Sequence, residues 1–79
     1  MSNNNFDINW TDVIKREARG SDGYDLGEVQ EVSTDYRITE KGIVDKTKYV
    51  IPKSLAQKFD RDCLYFQISE EGAKVYKKE

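Results

Sequence analysis

Polar residues fill positions 1–5, after which Phe6, Ile8 and Trp10 alternate with Asp7 and Asn9. That run is too short to separate a strand from an extended arm laid on a core, and residues 1–10 read as a flexible N-terminal arm. Thr11 to Ile14 has the make-up of one helical turn with Thr11 as its N-cap. Gly20-Ser21-Asp22-Gly23 is a turn cluster, since Asp-Gly tolerates the positive φ that tight hairpins need. In the next strand, Leu26 to Asp35, the apolar positions Leu26, Val29 and Val32 recur every third residue. Gly27 and the β-branched residues argue against a helix. The step therefore predicts a bent or bulged strand, which returns its side chains to one inward face.

Tyr36 to Thr39 alternates and continues as extended chain, and Glu40-Lys41-Gly42 is a turn. Ile43 to Lys46 follows as a short loop. Thr47 to Ile51 reads as a strand that Pro52 ends by removing a ladder donor. Ser54-Leu55-Ala56-Gln57 matches a capping box and predicts one helical turn. After the turn at Asp60-Arg61-Asp62, Cys63 to Ile68 is the last strand, with Leu64, Phe66 and Ile68 on one face. Ser69 caps a terminal helix from Glu70 to about Lys78, acidic at its start and basic at its end as the helix dipole favours. The pattern predicts a mainly β fold over residues 11–79. Its form is a small, highly curved β-barrel of about five strands with a short helical turn and a short C-terminal helix. Ala18, Leu26, Val29, Val32, Ile38, Tyr49, Ile51, Leu64, Phe66 and Ile68 are its expected interior, with Leu55 and Phe59 plugging one end.

Composition narrows the function. The 79 residues allow one domain, and 13 Lys+Arg against 15 Asp+Glu leave a net charge of −2. A nucleic-acid-binding domain is usually basic, so the balance speaks against one. The absence of histidine removes Ser-His, Cys-His and His-metal chemistry. The lone Cys63 closes no internal disulfide and makes no structural zinc site. A domain of this size buries roughly 60% of its unfolded surface, so self-association is one way to add buried area. No apolar run approaches the roughly 18 residues of a membrane helix, so no membrane insertion is expected. The first residues lack the basic and apolar regions of a signal peptide, and Ser2 removes the myristoylation motif. Together with the single free cysteine this points to the cytoplasm.

Candidate chemistry is sparse. Asp22, Asp25 and Glu28 lack the loop spacing of a calcium site and read as turn residues, so no metal or cofactor is expected. Carboxylate pairs for acid–base catalysis need a cleft that so small a domain has little room for, and no catalytic residue is assigned. Asp62 raises rather than lowers the pKa of Cys63, which reads as a small strand residue. The five tyrosines suit barrel packing better than base stacking, although Lys46 and Lys48 flank Tyr49. Ile43 and Val44 stand out: bulky β-branched residues in a loop either cover a barrel end or form an exposed patch for a partner. Ile43, Val44, Lys46 and Tyr49 are the candidate interface.

The stretch Ala18-Arg19-Gly20-Ser21-Asp22-Gly23-Tyr24-Asp25-Leu26-Gly27-Glu28-Val29-Gln30-Glu31-Val32 resembles the opening of PRC-barrel domains, with their Asp-Gly turn and Leu-Gly-x-Val strand. Tyr49-Val50-Ile51-Pro52, followed by Leu55 and Phe59-Asp60, resembles the family's later strand and its Ile-Pro stop. Cys63 to Ile68 sits where the closing strand belongs. The resemblance runs from about Val13 to Ile68 and implies a scaffold that binds other macromolecules. Relatives include part of a photosynthetic reaction-centre subunit and a domain of a ribosome-maturation factor, and some archaeal members are linked to cell division. It carries over no catalytic residue. The expected function is a non-catalytic protein–protein interaction module or adaptor, self-associating as a homodimer. The alternative is an RNA- or ribosome-associated factor, which needs Lys46, Lys48, Lys53 and Lys58 on one face.

Overall fold

A computed structural model describes residues 8–78. Helix α1 (Trp10–Val13) leads into strands β1 (Glu17–Arg19), β2 (Asp25–Val32), β3 (Tyr36–Lys41) and β4 (Thr47–Pro52). A 3-10 turn at Lys53–Leu55 precedes β5 (Ala56–Asp60) and β6 (Cys63–Phe66). Helix α2 (Glu70–Ala73), a second 3-10 turn at Lys74–Tyr76 and β7 (Lys77–Lys78) complete the chain. Among the described residues the strands form one seven-stranded sheet in the order β5-β6-β1-β2-β3-β4-β7. Only the β1–β6 pairing is parallel.

The fold is mainly β with short helices, as the sequence indicates, but the sheet has seven strands and is not closed. The two strands that end the sheet are those the sequence hides. At β5 the capping-box residues make only the 3-10 turn Lys53–Leu55, with no side-chain cap, and Ala56 onward pairs with β6. At the C-terminus Ser69 does cap α2, its hydroxyl accepting from Gly72 N at 3.2 Å. The helix lasts four residues instead of running to Lys78. Gly72, Val75 and Tyr76 are weak helix formers, and Lys77–Lys78 leave to pair with β4. Most of the expected arm, residues 1–10, lies outside the described residues. Of its described part, Ile8 is buried in the core and Trp10 opens α1, where Asn9 and not Thr11 is the N-cap.

The three-residue step in β2 has the anticipated cause. Ala18 pairs with Gly27 and Arg19 with Asp25, so Leu26 is an extra residue against β1. Val29 pairs with Thr39 and Glu31 with Ile38, so Gln30 is an extra residue against β3. Two bulges bend the strand and bring Leu26 and Val29 to full burial, with Val32 packed at the margin. Gly27 sits at φ +92° with the Glu40 carbonyl in the space a β-carbon would take, a close approach that leaves no room for a side chain.

Strand β3 departs from expectation. Arg37 and Thr39 face the core, at 4% and 0% exposure, while Ile38 turns outward and is half-buried. Alternation gives a strand its period but not its phase. The other phase would carry Glu40 inward with Ile38, burying a carboxylate, which is costly without a partner. In the observed phase the Arg37 guanidinium stacks over Trp10 at 3.9 Å and donates to the Ser33 and Tyr36 carbonyls at 2.7 and 2.9 Å. Small Thr39 lies opposite the large, inward Tyr49. The remaining expected interior residues are buried, with Phe66, Leu26, Ile51 and Leu64 the largest fully enclosed side chains. Leu55 and Phe59 pack partly buried against this core.

Candidate interaction site at the hairpin tip

Strands β3 and β4 pair over their full six residues, from Tyr36↔Pro52 to Lys41↔Thr47, and Gly42–Lys46 closes the hairpin. Ile43 and Val44 lie at its tip, 90% and 89% exposed. Such exposure of two adjacent β-branched side chains excludes the reading in which the loop folds back over a sheet end. Lys46 is exposed beside them. Tyr49 does not share that surface. Three residues along the strand, it points inward with Ile51 and is 3% exposed, because β4 presents Lys48 and Val50 to the other face.

Below the tip the hairpin is anchored to β2. Lys41 Nζ donates to the Asp25 carbonyl at 3.1 Å and to the Tyr24 hydroxyl at 3.3 Å, and it lies 4.4 Å from the Tyr24 ring centre. The Tyr24 and Tyr49 hydroxyls are 3.4 Å apart. The bonds to Tyr49 and Lys41 lower the Tyr24 pKa, whereas burial, followed by the Tyr24 contact, pushes Tyr49 up to about 12. The cluster holds the last rungs of the hairpin, directly below the Gly42–Lys46 tip.

The outer face of the hairpin was not visible in the sequence, since it depends on register. Ile38 and Val50 are directly opposite each other there. With Glu40, Lys46, Lys48 and Lys78 they line a shallow depression of about 490 Å³. A neighbouring depression of about 450 Å³ lies across Glu40 and Lys46, where Glu17, Glu28 and Asp25 contribute. Of the lysines of the RNA-binding alternative, Lys46 and Lys48 share the first depression, but Lys53 and Lys58 lie away from it. Lys46 and Lys53 flank opposite ends of β4, roughly 20 Å apart along a six-residue strand. Lys58 is on β5, at the far edge of the sheet, 5.2 Å from the Tyr65 ring centre.

Of the three acidic residues read as turn formers, Asp22 and Asp25 hold the turn into β2, but Glu28 lies within that strand, opposite Glu17 and Glu40. Asp22 accepts from Tyr24 N at 3.1 Å and from Glu70 N at 3.3 Å, bonds that lower its pKa. Asp25 accepts from Gly27 N at 2.8 Å. Among the described residues no group of three acidic or cysteine side chains is placed to hold a metal ion. Cys63 is buried, and burial pushes its thiol pKa up. No described helix is long and apolar enough to cross a membrane. No protein-family model matches the chain, and no curated protein matches it.

Proposed function

We propose that the chain is a non-catalytic protein-interaction module, an adaptor of the PRC-barrel type, that presents its β3–β4 hairpin to a protein partner. The observation that carries this reading is the exposure of Ile43 and Val44 on a hairpin tied to β2 just below its tip, by Lys41 to the Asp25 carbonyl. Rungs held this close to the tip lower the ordering cost of binding, and apolar side chains at the tip supply the area that binding buries. The curled, barrel-like form is supported by the two bulges in β2. It is supported also by a single core that draws on Tyr49 and Ile51 of β4 and on Ala56 and Phe66 of β5 and β6, near the two ends of the sheet.

The test is affinity capture from nuclease-treated lysate with the wild type and with Ile43→Asp/Val44→Asp. Proteins held by the wild type and released by the double variant are expected. A capture set that is the same for both proteins counts against the hairpin tip. Partners that vanish with nuclease favour the RNA-associated alternative instead.

A further inference from the structure

Strand register lays the charged residues of the outer face in a single row. Glu17 is opposite Glu28, Glu28 opposite Glu40, Glu40 opposite Lys48, and Lys48 opposite Lys78. The row changes sign once, between β3 and β4. Like charges directly opposite each other destabilise a sheet, so Glu28 beside Glu40 and Lys48 beside Lys78 cost stability in the isolated chain. Glu17 is paired with Arg19. Among the described residues, Glu28, Glu40, Lys46, Lys48 and Lys78 form no ion pair within 4.0 Å.

The sign change falls on the midline of the four strands β2-β3-β4-β7. Strands are evenly spaced at about 4.8 Å, so a two-fold axis along that midline, parallel to the strands, exchanges β3 with β4 and β2 with β7. It sets Glu40 against Lys48 of the partner copy and Glu28 against its Lys78. It also sets Ile38 against the partner copy's Val50, joining the half-buried apolar pairs at the centre. The depression rimmed by Lys48 and Lys78 then faces the acidic depression of the other copy. The two hairpin tips emerge side by side, so Ile43 and Val44 of both copies form one larger apolar end.

From this we infer that the outer face of β2, β3, β4 and β7 binds a second copy of the chain in a two-fold, face-to-face dimer. The inference rests on the reading of the chain as an interaction module and names its partner. An interface of this kind is isologous, and the row is self-complementary under the one operation that such dimers use.

The experiment is sedimentation equilibrium of the wild type, Glu28→Lys/Glu40→Lys, Lys48→Glu/Lys78→Glu, and an equimolar mixture of the two variants. Circular dichroism is used to check that each is folded. The wild type is expected to dimerise, and more weakly as salt rises from about 0.05 to 0.5 M. Each variant, its face now of one sign, is expected to lose at least about tenfold in affinity, and the mixture to recover it as a heterodimer. Variants that dimerise as well as the wild type, or a mixture that stays monomeric, overturn the proposal. So does a wild type that is monomeric near millimolar concentration. A monomer that still captures proteins through Ile43 and Val44 overturns the dimer alone and leaves the adaptor reading standing. A monomer that binds single-stranded RNA through Lys48 and Lys78 overturns both.

Discussion

Gly23 and Gly27 lie four residues apart at nearly the same backbone angle, φ +84° and +92°, and differ in what surrounds them. A β-carbon on Gly23 meets nothing within 4 Å. One on Gly27 overlaps the Glu40 carbonyl and comes within 2.8 Å of Lys41 Cα, both backbone atoms of the paired strand. Gly23→Ala therefore isolates the cost of positive φ, about 1–2 kcal/mol, offset by about 0.4–1 kcal/mol from the stiffer unfolded chain. A net loss of about 1 kcal/mol follows. Gly27→Ala adds a clash that no rotamer relieves, so β3 must move and its pairing with β2 suffers. Overpacking of this kind costs about 1–3 kcal/mol more, giving about 2–4 kcal/mol in all. A chain of this length has about 4–12 kcal/mol of stability, so Gly27→Ala removes a large share of it. Urea unfolding followed by Trp10 fluorescence measures both variants, since Trp10 packs under Arg37 and reports its loss. With a slope of about 1 kcal/mol per molar urea, the midpoint should fall by about 1 M for Gly23→Ala and about 2–4 M for Gly27→Ala. Midpoints that agree within about 0.5 M would refute the close approach of β3 to Gly27, and with it the bulged register of β2.

Phe66→Ala, at a fully enclosed position, should cost about 3–5 kcal/mol, and a melting temperature within a degree of the wild type would show that Phe66 is not core. Tyr49 ionises at about 12 when folded, above its ordinary value, so its contribution to stability is complete below pH 10 and is lost between pH 10 and 12. Urea midpoints across that range should fall for the wild type and fall less for Tyr49→Phe; equal slopes would count against the buried hydroxyl. The buried Cys63 thiol, with its raised pKa, should react with a thiol reagent far more slowly in the native protein than in urea, and equal rates would place it on the surface.

How far the sequence was legible depends on what each signal encodes. The step from Leu26 to Val29 to Val32 announced a bulged strand because no regular strand serves that spacing, and two bulges carry it. Leu64 and Phe66 fell in the core because apolar residues alternate there with partly polar ones. Ile38 was misplaced because hydrophobicity along Tyr36–Thr39 favours one phase, while Trp10, Tyr49 and the Ser33 carbonyl favour the other. Trp10 and Tyr49 are distant in sequence, and the Ser33 carbonyl is placed by the turn before β3. The edge strands β5 and β7 were hidden for a related reason. Each is defined by a neighbour that supplies hydrogen bonds and not by its own pattern, and β7 is only two residues long.

The phase of β3 and the outer face are one structural fact. Turning Arg37 and Thr39 inward leaves Arg37 Nε and Thr39 Oγ1 without hydrogen-bond partners among the described residues, a cost borne by the core. The same half-period shift turns Ile38 and Glu40 outward, beside Val50 and Lys48. Keeping Ile38 inside would bury the Glu40 carboxylate with it, so the observed phase leaves Ile38 to the surface. Here the apolar pair Ile38–Val50 and the sign change of the charged row come to the surface together, on the one hairpin whose tip exposes Ile43 and Val44. Stability given up in the core and apolar area left on the surface thus meet in the same element, and both are offset if a second copy covers that face.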